Sequence, residues 1–269
     1  MYQEYQPHEI LAPYIDKYWV VKGESEPGSY MKILPDGCTD FIFNLDDASN
    51  LEDNRQFIVK PLHGYFVGAM KAYSELQVRA RSIHMLGVRF TPCGLTVFMR
   101  EALGEFTNQR VCLQDVNLLF HEEFAVLLRE KATLGERLRL IEGYLLSRLT
   151  YAETIDKQVV WTAGLIRQAG GLLSIRELMD RVCLCQRHLE RRFKHATGFT
   201  PKEYSRIVKF RRAMDVLRQV SRDKLFNVSV DCGYYDSSHL VKEFKKLSGS
   251  SPVVFMSLPE DVPITYLDG

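Results

Sequence analysis

Between residues 14 and 100 the apolar positions come in short runs. YIDKYWVVKG, YMKILPDGCTDFIFNL, RQFIVKPLHGYFVGAM, YSELQVRA and SIHMLGVRF are rich in Val, Ile, Tyr, Phe and Trp. Gly23, Pro27-Gly28, Pro35-Asp36-Gly37, Asp46-Asp47 and Thr91-Pro92 punctuate them. Short β-prone runs with turn residues between them predict an antiparallel barrel or sandwich. After Pro92 the period lengthens. Residues 116–131 and 136–149 carry apolar side chains at helical spacing, with Leu138, Ile141, Leu145 and Leu149 at steps of three and four. This predicts a helical hairpin joined near residues 133–135. Its stripe packs on its own domain or, as the sharper reading, against a second copy of the chain in a homodimer. The polar stretch YAETIDKQ, residues 151–158, marks a boundary. It separates a domain of residues 1–150 (β-rich over 1–100, hairpin over 116–149) from a helical domain of residues 151–258. The acidic stretch 259–269 reads as a poorly ordered tail.

The helical part repeats itself. CQRHLERRFKHATGFTP (185–201) and DSSHLVKEFKKLSGSSP (236–252) align with a shift of 51 positions. His188 then meets His239, Leu189 meets Leu240, Phe193 meets Phe244, Gly198 meets Gly249 and Pro201 meets Pro252. A self-match at a fixed offset points to a duplicated structural unit. Read as helices, the copies turn Leu189, Phe193 and Ala196, or Leu240, Phe244 and Leu247, toward a core. Gln186, Arg187, Glu190, Arg191 and Lys194 face outward in the first copy, and Ser237, Ser238, Val241, Lys242 and Lys245 in the second. The glycines stand where a helix stops in a left-handed residue. Thr200-Pro201 and Ser251-Pro252 read as a cap followed by Pro at the first helical position. A short helix precedes each copy, over 175–181 and 226–231, the first opened by a Ser174–Glu177 capping box. A helix, a three- or four-residue turn and an exposed basic helix make a helix-turn-helix unit. Two such units are joined by one long helix over 202–220. His188 and His239 are expected on the buried edge, supporting the exposed helices.

Charge sharpens this picture. The net charge is +1 over 269 residues, but residues 1–150 hold 16 Lys+Arg against 20 Asp+Glu, and residues 160–257 hold 18 against 9. A basic module behind an acidic one suggests a polyanion partner for the C-terminal part alone.

At these residues the sequence resembles the AraC/XylS family of bacterial transcription regulators, over about residues 157–256. DCGYYDSSHLVKEFKKLSGSSP is similar to the family signature around the second helix-turn-helix, and RHLERRFKHATGFTPKEYSRIVKFRRA to the segment that opens the first. ILPDGCTDFIFNL and MLGVRFTPCGL resemble a sensor-like domain often found on such regulators. The resemblance implies an α+β chain: a cupin-like antiparallel β-barrel or sandwich with a helical hairpin, then an all-α domain with two helix-turn-helix motifs. It implies a sequence-specific regulator, with promoter DNA and RNA polymerase as partners, a small-molecule effector as a further candidate, no cofactor and no catalysis. By the same resemblance, base edges fall to Arg187, Glu190 and Arg191 in the first helix and to Ser237, Ser238 and Lys242 in the second. Arginine suits guanine and glutamate suits cytosine. Gln186, Lys194, Lys202, Lys245 and Lys246 are assigned to phosphates, which position without specifying. The sequence departs from the family at Ser237 and Ser238, where longer side chains are common, at Cys183, where the turn commonly has Gly, and in the polar stretch 226–229.

Other chemistries find little support. Cys183 and Cys185 lack a second pair at zinc-ligand spacing and read as small packing residues. His63 and His84 are isolated. Cys38 is a packed turn residue or a reactive thiol. MYQEYQPHEI has neither the basic nor the apolar region of a secretory signal, and no apolar run reaches a membrane span, so a cytoplasmic location is expected. The rival reading is a small-molecule or metal-dependent barrel enzyme carrying a DNA-targeting module; a third is an adaptor that binds only protein.

Overall fold

The computed structural model describes residues 1–47, 51–53, 57–149, 155–221, 224–257 and 267–268. The expected boundary stretch lies partly, and the expected tail mostly, outside the described residues. The first part is built on strands β1 (Tyr2–Tyr5), β2 (Ile15–Glu24), β3 (Tyr30–Ile33), β4 (Thr39–Asn44), β5 (Leu51–Asp53), β6 (Ile58–Val59), β7 (Gly64–Val67), β8 (Ser74–Val78), β9 (Ser82–Phe90) and β10 (Arg110–Cys112). A last strand, β11 (Leu267–Asp268), pairs with β3, so this end of the expected tail joins a sheet.

The strands form two antiparallel sheets, ordered β1-β2-β9-β4-β7-β10 and β11-β3-β8-β5-β6. This is an open sandwich, not a closed barrel. The six-stranded sheet is the middle of three layers, and its side chains alternate between two cores. Phe41, Phe43, Phe66, Leu86, Val88 and Phe90 point to one side, into a cluster with Phe120, Phe124, Ile141 and Leu145. Trp19, Tyr65 and Met85 point to the other, against Met31, Leu51 and Leu76 of the second sheet. Burial on both faces explains why these strands read as nearly continuous apolar runs. Trp19 lies directly opposite Gly87. A Cβ on Gly87 would come within 1.9 Å of the indole, so the glycine makes room for the ring to lie across the sheet.

The hairpin is α1 (Glu122–Glu130) and α2 (Leu134–Leu149). The expected first helix is shortened, because residues 116–121 are not helical. Leu119 and Phe120 are buried in the aromatic cluster from an irregular segment. The helix then starts where Glu122 and Glu123 complement its positive end. Ile141 and Leu145 are buried and Leu138 and Leu149 pack beside them, so the α2 stripe packs on its own domain.

The C-terminal part comprises α3 (Lys157–Gln168), α4 (Ile175–Val182), α5 (Gln186–Thr197), α6 (Pro201–Leu217), α7 (Leu225–Asp231), α8 (Ser237–Ser248) and α9 (Pro252–Phe255). The long helix ends at Leu217, its last core residue, three positions short of the expected end. It serves two cores in turn. Tyr204 and Ile207 pack with Ile166, Leu178, Leu189 and Phe193. Phe210, Met214 and Leu217 pack with Val228, Leu240, Phe244 and Leu247. Each helix-turn-helix therefore has its own core, and seventeen helical residues at 1.5 Å each give the connector a length of about 25 Å.

Candidate nucleic-acid interface

The two copies of the repeated phrase are α5 and α8, and both are built as their punctuation predicts. Gly198 (φ 80°) and Gly249 (φ 75°) end them in the left-handed region. Thr200 opens α6 in a reciprocal capping box with Glu203, and Ser251 caps α9 by accepting from Val254 N–H at 3.3 Å. Ser174 and Glu177 form the expected capping box at α4. The turn between α4 and α5 places Cys183 in the left-handed region (φ 53°), the conformation for which Gly is the usual residue. Asp236, not singled out in the sequence, caps α8 by accepting from His239 N–H at 2.7 Å.

Leu189, Phe193 and Ala196 are buried in α5, and Leu240, Phe244 and Leu247 in α8. The opposite faces are open. Gln186, Arg187, Arg191 and Lys194 are exposed, as are Ser238, Lys242, Lys245 and Lys246; Ser237 is half-buried and Lys202 is exposed at the start of α6. Glu190 is half-buried and accepts from Gln186 Nε2 at 2.8 Å, so these two are already paired. Ser237, Ser238, Lys242, Lys245 and Lys246 line one shallow concavity along α8. A groove of about 620 Å³ runs between the motifs and gathers Lys202, Lys209 and Lys246.

His188 and His239 are exposed, correcting the expectation of a buried edge. His239 still has a structural contact: its Nδ1 accepts from Tyr235 N–H at 3.2 Å and its ring meets Tyr234 edge-on. Several fixing contacts escaped sequence reasoning because they join distant positions. Arg206 of α6 is ion-paired with Glu243 of α8. Lys209 Nζ donates to Gly233 O at 3.3 Å in the second turn. Both hold the second motif to the connector.

The N-terminal domain buries an ionic cluster. Arg89 Nη1 lies 2.8 Å from Asp36, and Arg89 Nε donates to Asp40 at 3.1 Å. Trp19 Nε1 donates to the same Asp40 oxygen at 2.8 Å. Burial pushes both carboxyls up, but Arg89, with Arg211 of α6, pulls Asp36 below its ordinary value, whereas Asp40 stays raised. Burial, then Asp36, pushes the Cys38 thiol well up, which argues against a reactive thiolate there. Among the described residues no group of three His, Cys, Asp or Glu is placed to hold a metal ion, and no helix is long and apolar enough to cross a membrane.

Known proteins match the two halves separately. A family model described as a helix-turn-helix domain covers residues 178–257, and one described as a domain of unknown function covers residues 3–112. The helical part is 34% identical over 80 residues to the HTH-type transcriptional activator RhaS of Escherichia fergusonii. It is 28% identical over 80 residues to the HTH-type transcriptional regulator ArgR of Pseudomonas aeruginosa. These matches take in 30% of this chain, and 28% and 24% of the two relatives. The whole fold is similar to that of ToxT from Vibrio cholerae, with a TM-score of 0.52 at 9% identity, over 89% of this chain and 97% of that one. The C-terminal part therefore shares its helix-turn-helix domain with HTH-type transcriptional regulators, and the chain as a whole shares the fold of ToxT.

Proposed function

We propose that the chain is a sequence-specific DNA-binding transcription regulator that acts by binding, without turnover. One observation carries this reading. Two copies of one motif each bury an apolar stripe and expose a basic face, and both are fastened to a single rigid helix. A connector of about 25 Å suits two helices that enter successive major grooves, whose centres lie about 34 Å apart. In this reading Arg187, Glu190, Arg191, Ser237, Ser238 and Lys242 meet base edges. Gln186, Lys194, Lys202, Lys245 and Lys246 meet phosphates. The division falls near residue 150, with a regulatory domain before it and the DNA-binding domain of 151–258 after it. The relatives named as activators favour activation through contact with RNA polymerase, in the cytoplasm, under a signal held by the N-terminal domain. A dimer through the hairpin would use exposed Val126 and Leu127 of α1 rather than the α2 stripe.

The test is a footprint on the DNA upstream of the gene and its neighbours at two salt concentrations. Protection of two adjacent major grooves on one face, weaker at high salt, is expected. Absence of any salt-dependent DNA affinity would overturn the proposal in favour of a protein-only adaptor.

A further inference from the structure

A cavity of about 50 Å³ lies between the two sheets. Trp19, Asp40 and Tyr65 line it from the middle sheet, and Met31, Met70 and Met85 complete its walls. A cavity of roughly 150 Å³ holds benzene, so any guest of more than a few atoms must push the walls outward. Methionine walls allow this, because the chain is unbranched and its thioether adapts to irregular shapes.

The lining also sets a charge preference. Arg89 already faces both Asp36 and Asp40, and Arg110, the other guanidinium on the wall, lies 2.7 Å from Asp53. An anion would therefore enter beside two carboxylates and meet cations that are already engaged. A cation would relieve the excess at Asp40, whose carboxyl burial holds above its ordinary range despite Arg89. Trp19 and Tyr65 also line it, and aromatic rings attract organic cations through the ring quadrupole.

One wall is shared with the DNA-binding domain. In segment 68–73, Gly68 and Met70 line the cavity, while Ala69, Lys71 and Tyr73 touch the helices. Ala69 lies under Gly198 at the end of α5, where an added Cβ would come 2.8 Å from its methyl. Lys71 Nζ is 2.7 Å from Glu203 at the start of α6. The Tyr73 ring covers Gly249 at the end of α8, where an added Cβ would come 2.6 Å from it. The segment's backbone is held to the neighbouring residues. Gly68 N–H donates to Gln109 O at 3.0 Å, Asn108 N–H donates to Ala69 O at 2.9 Å, and Lys71 N–H donates to Asn108 Oδ1 at 2.7 Å. These bonds tie the cavity-lining and helix-facing residues of the segment to one neighbouring stretch, residues 108–109.

From this geometry we propose that the cavity binds a small organic ammonium ion against Asp40, Trp19 and Tyr65, and that segment 68–73 carries its occupancy to the ends of both DNA-reading helices. The readout rests on the regulator reading; the binding does not.

The test uses the full chain carrying Trp161→Phe, which leaves Trp19 as the single tryptophan. It is titrated with 2-phenylethylamine and with 3-phenylpropionate, similar in size and opposite in charge. The amine should give a saturable change in Trp19 emission at a concentration at least about tenfold lower than the carboxylate. In Asp40→Asn that preference should vanish. Should this variant fail to fold, the comparison on the parent decides alone. Equal responses, or none, would overturn the ammonium site. Hydrogen exchange at amine saturation should change together in residues 68–73 and in the last turns of α5 and α8; a change confined to the cavity walls would overturn the transmission. Neither readout needs DNA, so a protein that binds the amine but footprints nowhere would break the regulator reading and leave the site standing.

Discussion

Arg192 grips Asp156 with two hydrogen bonds, Nε to Oδ2 at 2.7 Å and Nη2 to Oδ1 at 2.6 Å. The same carboxylate caps α3, accepting from the Gln158 and Val159 amides at 3.2 Å each. One side chain thus caps α3 and holds α5 to it. Burial raises this carboxyl, but Arg192 and the two amides bring it below its ordinary value. Asp156→Ala should cost about 1–2 kcal/mol, the usual loss of a cap. Asp156→Asn keeps the cap and should lose less, about 0.2–1 kcal/mol, since the pair is one-third exposed. Urea unfolding of the two variants separates the contributions.

Arg191→Ala and Lys242→Ala test the base assignments. If these side chains pair with base edges, each loss should cost about 1–3 kcal/mol of specific binding and relax sequence preference at one position. If Lys246 meets a phosphate, Lys246→Ala should weaken binding to all sequences and reduce the salt slope by about 1. Unchanged footprints in both of the first two variants would remove those residues from the reading face.

The turn at Cys183 makes a prediction of opposite sign. A non-glycine residue in the left-handed region costs roughly 1–2 kcal/mol. Cys183→Gly should recover about 1 kcal/mol of this, reduced by the extra freedom of glycine in the unfolded chain. Cys183→Val should destabilise. Thermal unfolding of the full chain would show both shifts.

Acid should loosen the contact between the domains. Glu203 is pushed up by burial, but Lys71 and the Thr200 capping bonds pull it below its ordinary value. A carboxyl depressed in the folded state stabilises above its unfolded pKa, about 4.3, and loses that contribution as pH falls through its lower folded value. Stability measured from pH 7 downward should therefore fall less steeply in Glu203→Gln than in the parent. An identical slope would mean that the pair contributes nothing.

The helical domain was legible because its signals are local. Capping residues, the terminal glycines and the apolar spacing of Leu189, Phe193, Leu240 and Phe244 each act within one or two turns. The buried cluster of Asp36, Asp40 and Arg89 was not legible, because β-pairing between β4 and β9 assembles it across 49 positions. β1 and β10 were missed for a related reason. Their burial is incomplete, so YQEY and RVC lack a strong apolar alternation, and pairing with β2 and β7 decides them. Residues 116–121 misled in the other direction: Leu118, Leu119 and Phe120 fit a helical stripe, but the aromatic core takes the last two from an irregular segment. The exposure of His188 shows the same limit, since its place beside Leu189 does not determine which way its ring points.

Segment 68–73 is the connection between β7 and β8, and connections are where chains ordinarily tolerate insertions and deletions. Here its length is constrained. Adding or removing one residue would shift its two sets of neighbours, sending Ala69 toward the cavity and the longer Met70 under Gly198, where the Ala69 methyl already lies 2.8 Å from where a Cβ on the glycine would stand. Variation in this loop should therefore come as substitution at fixed length, or as a paired change that carries the whole segment past its partners.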